Sequence, residues 1–172
     1  YNSLIKKSIN VFEPNLTSNL SLLAAEKNIK KNSKFLDLGC GNGILGVILF
    51  KKKKIQKVYA SDVSKYASKL ATKNMIKNKV SHEIRCGSLF DPWKDIIYQK
   101  EKFDYILNDV SAISTLVAKK SSWFNDKIPC ESGKDGTKLT LEIIKKSLKF
   151  LKKKGILQIP ILSLSNRKKI LK

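Results

Sequence analysis

The residues best equipped for chemistry stand together early in the chain: Asp37-Leu38-Gly39-Cys40-Gly41-Asn42-Gly43. An apolar stretch precedes them, and a helix-forming stretch follows from Ile44. Glycines let a backbone turn sharply and approach a ligand with no Cβ in the way. Gly41, Gly43 and Gly46 also satisfy the spacing G-x-G-x-x-G, and Asp62 stands 21 positions after Gly41, where an acid can bond ribose hydroxyls. The pattern predicts a nucleotide-like ligand at a strand-to-helix turn, with Asp62 on its sugar.

Charge separates two kinds of ligand. A dinucleotide such as NAD puts a doubly negative pyrophosphate on this turn, and a carboxylate at the strand tip, Asp37, repels it. S-adenosylmethionine carries an ammonium and a sulfonium and no phosphate, so the same carboxylate attracts it or orients the loop amides. Gly39 also starts the turn one step earlier than a dinucleotide loop requires. The residues favour S-adenosylmethionine, with an NAD-dependent oxidoreductase as the alternative.

Such a loop has to be held by a sheet. Short apolar runs at 34–38, 56–61, 83–86, 103–108 and 156–162 read as strands, and 44–53, 65–77 and 137–153 as helices. In the last helix Leu141, Ile144, Leu148 and Leu151 share one face. An earlier helix runs to about residue 30 from a cap at Thr17 or Ser18, with Leu16, Leu20 and Leu23 as its apolar stripe. Strands alternating with helices imply a parallel sheet covered on both faces, with ligands at the carboxyl ends of the strands. Pro160, inside the fifth run, suits an edge strand.

Composition bounds the surroundings. At 172 residues and 42% hydrophobic content, one domain can bury a proper core. No apolar run reaches membrane-spanning length and no signal-peptide pattern opens the chain, so a cytoplasmic location without a membrane is expected. Cys40, Cys86 and Cys130 lie far apart, and His82 is the one histidine; neither disulfides nor a metal site is expected. The net charge is +21, yet of 35 basic residues only Arg85 and Arg167 are arginine. Lysine is a poor reader of bases, so the charge is either a solvated surface or a nonspecific nucleic-acid contact. The lysine runs 51–54 and 152–154 fall at expected helix ends, where cations meet the macrodipole.

Residues 35–43 as a whole, Phe-Leu-Asp-Leu-Gly-Cys-Gly-Asn-Gly, closely resemble motif I of the class I S-adenosylmethionine-dependent methyltransferases. Val58-Tyr59-Ala60-Ser61-Asp62-Val63-Ser64, with Ala67 and Asn74, is similar to the next motif, whose acid grips the ribose. Gly87-Ser88-Leu89-Phe90 resembles the third, a Gly-Asp-x-Phe sequence whose acid meets the adenine; Ser88 stands in that acid's place. The resemblance implies a cofactor site with Asp37, Gly39, Cys40, Gly41, Asn42 and Gly43 at the methionine end, Asp62 and Val63 at the ribose, and Ser88 and Leu89 at the adenine. Phe90 belongs either beside the adenine or in the core.

Val11-Phe12-Glu13-Pro14 with Thr17, and Gly133-Lys134-Asp135-Gly136 with Leu148, Leu151, Gly155 and Ile156, resemble the small-domain group of release-factor glutamine and rRNA guanine N-methyltransferases. In that group the fourth strand ends in Asn-Pro-Pro-Tyr, which holds the target nitrogen beside the methyl. Here it ends in Asn108-Asp109-Val110-Ser111. The resemblance makes Asn108, touching both cofactor and acceptor, and Asp109 the candidate catalytic residues. Asp109 either binds a cationic amine or acts as base for a hydroxyl, or it accepts hydrogens from a nitrogen as the lost carbonyl did. Two other readings are a degenerate loop in a catalytically silent cofactor-binding module and a structural Asp109. Trp123 and Phe124, in the loop 110–131, stack on a planar acceptor or anchor the loop.

The expected fold is α/β, a doubly wound Rossmann-like methyltransferase sandwich with parallel strands in the order 3-2-1-4-5. It is one domain over 1–172, with 1–30 as an approach segment and helix, and without the C-terminal antiparallel hairpin of the family. The expected function is methyl transfer from S-adenosylmethionine to a nitrogen or oxygen of protein, RNA or a small molecule.

Overall fold

Five parallel strands form one sheet in the order β3-β2-β1-β4-β5: β1 Phe35–Leu38, β2 Val58–Asp62, β3 His82–Cys86, β4 Phe103–Asn108 and β5 Leu151–Gln158. The computed structural model describes residues 3–110, 112–120 and 130–172. Among the described residues the helices are α1 (Leu16–Asn28), α2 (Ile44–Lys51), α3 (Lys65–Lys77), α4 (Lys94–Tyr98), α5 (Thr115–Lys120), α6 (Lys138–Ser147) and α7 (Arg167–Ile170), with a 3-10 turn at Asp91–Trp93. The period-two alternation of the strands divides the core. Phe35, Tyr105 and Leu107 face α1, α2 and α3 through Leu22, Val47 and Met75. Leu36, Leu38 and Ile106 face the other way, onto Trp93, Ile143 and Phe150. The doubly wound expectation holds, strand order included.

Several sequence expectations are corrected in detail. The cap of α1 is Asn15, whose side chain accepts from the amides of Thr17 (2.9 Å) and Ser18 (3.3 Å), not Thr17 or Ser18. Its buried face carries Ser18, Ser21, Leu22 and Ala25, while Leu16 is 73% exposed and Leu20 and Leu23 also face outward. The reason is position: α1 lies across the carboxyl ends of β4 and β5, where Gln158 donates to the Ser21 carbonyl at 2.8 Å. Polar groups are needed there, so small hydroxylated residues turn inward.

The last helix is shorter and its phase differs. α6 ends at Ser147 and buries Thr140, Ile143 and Ser147, leaving Leu148 73% exposed. A turn then places Phe150 in the core, stacked on Phe90 at 4.6 Å between centroids. Phe150 also accepts from the Phe103 amide at 2.8 Å. That contact draws 151–154 into β5, so lysines 152–154 lie in a strand and not at a helix end. The β4–β5 pairing runs from Phe103↔Leu151 to Tyr105↔Ile156, which leaves the lysines in a bulge. Pro160 falls just beyond β5, at the sheet edge. Among the described residues no helix is long and apolar enough to cross a membrane.

Candidate functional site

The glycine loop is fastened to β2 at both of its ends. Gly39 and Cys40 donate to the Ser61 carbonyl at 2.8 and 3.0 Å. The Gly41 amide donates to one oxygen of Asp62 at 2.9 Å, and the Ser64 amide to the other at 2.9 Å. Gly39 is left-handed (φ +79), and a Cβ there would lie 2.2 Å from Cγ2 of Val110. Glycine therefore lets the loop after β4 close onto the loop after β1. Gly43 (φ +81) opens α2 and packs against α3, where a Cβ would meet Met75 Cε at 3.0 Å. Its role is helix packing, and it does not line the cavity described next.

That cavity, about 330 Å³, opens at the carboxyl ends of β1, β2 and β4. Gly39, Cys40, Gly41 and Asn42 form one wall, and Asp62, Val63, Ser88 and Leu89 a second. Val11, Phe12 and Pro14 cover it from the approach segment, and Asp109 and Val110 close the end nearest β4. The approach segment is strapped down by Asn74, a fully buried side chain that sequence reading left without a role. It accepts from the Lys6 amide at 2.7 Å and donates to the Asn42 carbonyl at 2.9 Å. Phe90 is in the core. Trp123, Phe124 and Ser111 lie outside the described residues.

Asp37 and Asn108 sit beneath the cavity lining, each 1% exposed. Both oxygens of Asp37 and the amide oxygen of Asn108 lack a hydrogen-bond partner. Burial pushes the Asp37 carboxyl up to about 8, and the nearby charges of Asp109 and Asp62 push the same way. Burial also raises Asp62 against the pull of the Ser64 and Gly41 amides. The Cys40 thiol is pushed well up by burial and by Asp37 and Asp62, which disfavours its thiolate form. Asp62, Asp109 and Glu131 thus line a cavity whose described lining contains no lysine or arginine, with the Asp37 carboxyl beneath it. Such a site suits a cation and opposes a pyrophosphate.

Asp109 is held by Ser18, expected from the sequence as a helix cap, and by Ser21, which had no expected role. Ser18 donates to one oxygen at 2.7 Å and Ser21 to the other at 3.0 Å. Burial raises its pKa while these two bonds lower it. A second, smaller cavity of about 110 Å³ lies across Asp109, between Asn15 and Thr17 on one side and Pro160 and Leu162 on the other. Asp109 and Ser18 border both cavities. The spacing Ser18-x-x-Ser21 was the available signal, since it puts two hydroxyls on one helix face.

Comparison with known proteins agrees with this geometry. The family model for the methyltransferase small domain matches residues 7–109. The chain belongs to this family. A putative protein N5-glutamine methyltransferase of Methanocaldococcus jannaschii is 32% identical over 161 residues, 92% of this chain and 75% of the relative. A ribosomal protein L11 methyltransferase of Thermotoga neapolitana is 30% identical over 96 residues, 56% of this chain. The match spans about a third of that relative, 34% of its length. In three dimensions the ribosomal protein L11 methylase of Lactobacillus delbrueckii subsp. bulgaricus superposes with a TM-score of 0.62 at 21% identity, covering 86% of this chain and 60% of that one. A methyltransferase of Pyrococcus furiosus gives 0.62 at 14% identity, over 97% and 72%. The small-domain fold is therefore that of class I methyltransferases.

Proposed function

We propose that this small domain transfers a methyl group from S-adenosylmethionine to a nucleophile beside Asn108 and Asp109. The observation that carries the reading is the buried, unpartnered Asp37 carboxyl with Asp62 and Asp109 around a glycine-loop cavity. These residues fit S-adenosylmethionine: Asp37 and the loop Gly39–Asn42 hold the amino-acid end, Asp62 and Val63 the ribose, and Ser88 and Leu89 the base. When bound, the cofactor would supply a sulfonium methyl that a nucleophile attacks in line, the C–S bond breaking and S-adenosylhomocysteine leaving. The chain's own part is orientation. Asp109, which lines the cavity, offers a carboxylate already aligned by Ser18 and Ser21, and Asn108 lies beneath the lining with its amide oxygen unpartnered.

Protein is the first acceptor class to test, because the relatives are named for methylating ribosomal protein L11 or a protein glutamine. RNA and small molecules form the other arms. Calorimetry with S-adenosylmethionine, S-adenosylhomocysteine and NAD tests the cofactor, and radiolabelled methyl transfer into fractionated lysate tests the acceptor. NAD binding without S-adenosylhomocysteine binding overturns the reading. One observation favours a silent cofactor-binding module instead: both Asp109 oxygens already hold protein hydroxyls. Cofactor binding without label transfer to any fraction would select it.

A further inference from the structure

All five strands run the same way, so the segments that lead into them gather along one edge of the sheet, opposite the cavity. Hydrogen bonds knit these segments together. Asn32 donates to the Lys54 carbonyl at 3.2 Å, Val58 to Ser81 at 2.9 Å, Tyr105 to Lys34 at 3.2 Å and Phe103 to Phe150 at 2.8 Å. Each segment exposes lysine: Lys31 before β1, Lys53 before β2, Lys79 before β3, Lys100 before β4 and Lys149 before β5. The cavity lining instead carries Asp62, Asp109 and Glu131. The cavity lining has acids and no lysine, whereas every strand entry carries an exposed lysine.

Three of these lysines hold a backbone position that glycine fills without strain. α2, α3 and α4 close alike, with Lys54 donating to Leu49 at 3.0 Å, Val80 to Met75 at 3.0 Å and Glu101 to Ile96 at 3.1 Å. The residue before each donor, Lys53, Lys79 and Lys100, is left-handed, with φ of 54, 55 and 55. Glycine is the usual occupant there because a side chain is strained in that conformation. Neighbouring lysines are spent on ion pairs, Lys52 with Glu26, Lys34 with Glu101 and Lys57 with Glu83. Among the described residues, Lys53, Lys79 and Lys100 have no such partner. A lysine in the last helical turn answers the macrodipole. Three strained, unpaired lysines one step further along a single edge are charge held out to solvent.

We propose that this edge binds the phosphate backbone of a polynucleotide, as an anchor separate from the cavity rather than as the methyl acceptor. A five-strand edge is roughly 20 Å long at the usual strand spacing, a reach of about six phosphates at the spacing of one nucleic-acid strand. Tyr98, 85% exposed at the end of α4, stands two residues from Lys100 and presents an aromatic face to an unpaired base.

The test is fluorescence anisotropy of the full chain with a labelled single-stranded RNA of about 20 nucleotides and DNA of the same sequence, over about 50–200 mM salt. The triple variant Lys53→Gly, Lys79→Gly, Lys100→Gly is compared with Lys65→Ala, Lys134→Ala, Lys138→Ala, which removes equal charge from the cavity end. The glycine set is expected to weaken binding on the order of 10²-fold near 0.1 M salt and to reduce the salt slope by about 2. Its melting temperature should rise, which separates lost binding from lost folding. The alanine set is expected to bind within about threefold of the parent, as the contacts proposed exclude it. Saturating S-adenosylhomocysteine should change neither affinity. Equal losses in the two sets would reduce the effect to bulk charge and overturn the proposal. So would competition with S-adenosylhomocysteine, or binding to phosphatidylserine vesicles without binding to either polynucleotide.

Discussion

Replacing Asp37 by Asn should separate the stability of the fold from its grip on a cationic ligand. An aspartate in the unfolded chain titrates near its ordinary 3.8, whereas Asp37 in the folded protein is pushed up to about 8. Between those values the folded state keeps a proton that the unfolded state has released. The stabilising contribution is therefore complete below about pH 3.8 and is lost as pH rises through about 8. One proton corresponds to about 1.4 kcal/mol per pH unit, on the order of 5 kcal/mol across the window. Asp37→Asn cannot titrate there. Its advantage over the parent should grow by about 1.4 kcal/mol per unit and level off above about pH 8. Urea unfolding of both proteins from about pH 5 to 9 reads this slope directly. A difference that stays flat with pH would refute burial as the dominant influence on Asp37. In calorimetry above about pH 8, where Asp37 is ionised, the same variant should bind S-adenosylhomocysteine about 1.5–3 kcal/mol more weakly, the loss expected for a charged hydrogen bond. Tight binding by the amide variant would refute Asp37 as the cation seat.

Asp62→Ala removes the acceptor of the Gly41 and Ser64 amides as well as the proposed ribose contact, and calorimetry should show S-adenosylhomocysteine affinity falling by about 1.5–3 kcal/mol. Gly46→Ala puts a methyl 2.7 Å from Val58 Cγ1 and 3.0 Å from Met75 Cε, so the urea midpoint should fall by the equivalent of about 1–3 kcal/mol. Lys53→Gly, Lys79→Gly and Lys100→Gly each relieve a left-handed side chain and should each raise unfolding free energy by about 1 kcal/mol. Ser18→Ala with Ser21→Ala deletes the two bonds that hold down the pKa of Asp109. Once an acceptor is known, the acid limb of the rate profile should move to higher pH, and an unmoved limb would mean that Asp109 does not titrate in catalysis.

The cofactor end was legible in the sequence because its parts are local. A strand tip, four glycines and a helix start lie within 35–46, and the acid at Asp62 ends the next strand. Local steric rules and charge alone favour a cationic nucleotide there, and the alternation of apolar runs yields the parallel sheet. The acceptor end was not legible, because its partners meet across long stretches of chain. Asp109 is 91 and 88 residues from Ser18 and Ser21, and although their spacing puts both hydroxyls on one helix face, the segment 16–28 does not say that this face turns inward and the leucines outward. An amphipathic helix shows its period in sequence but not the polarity of what it will rest on. The same limit explains α6 and β5: the lysines at 152–154 continue a helical pattern locally, and pairing with β4 overrides it. Charge followed the same division. Net charge, +21, is legible in composition, but parallel topology is what lines up a lysine at every strand entry along one edge and leaves the cavity lining without any.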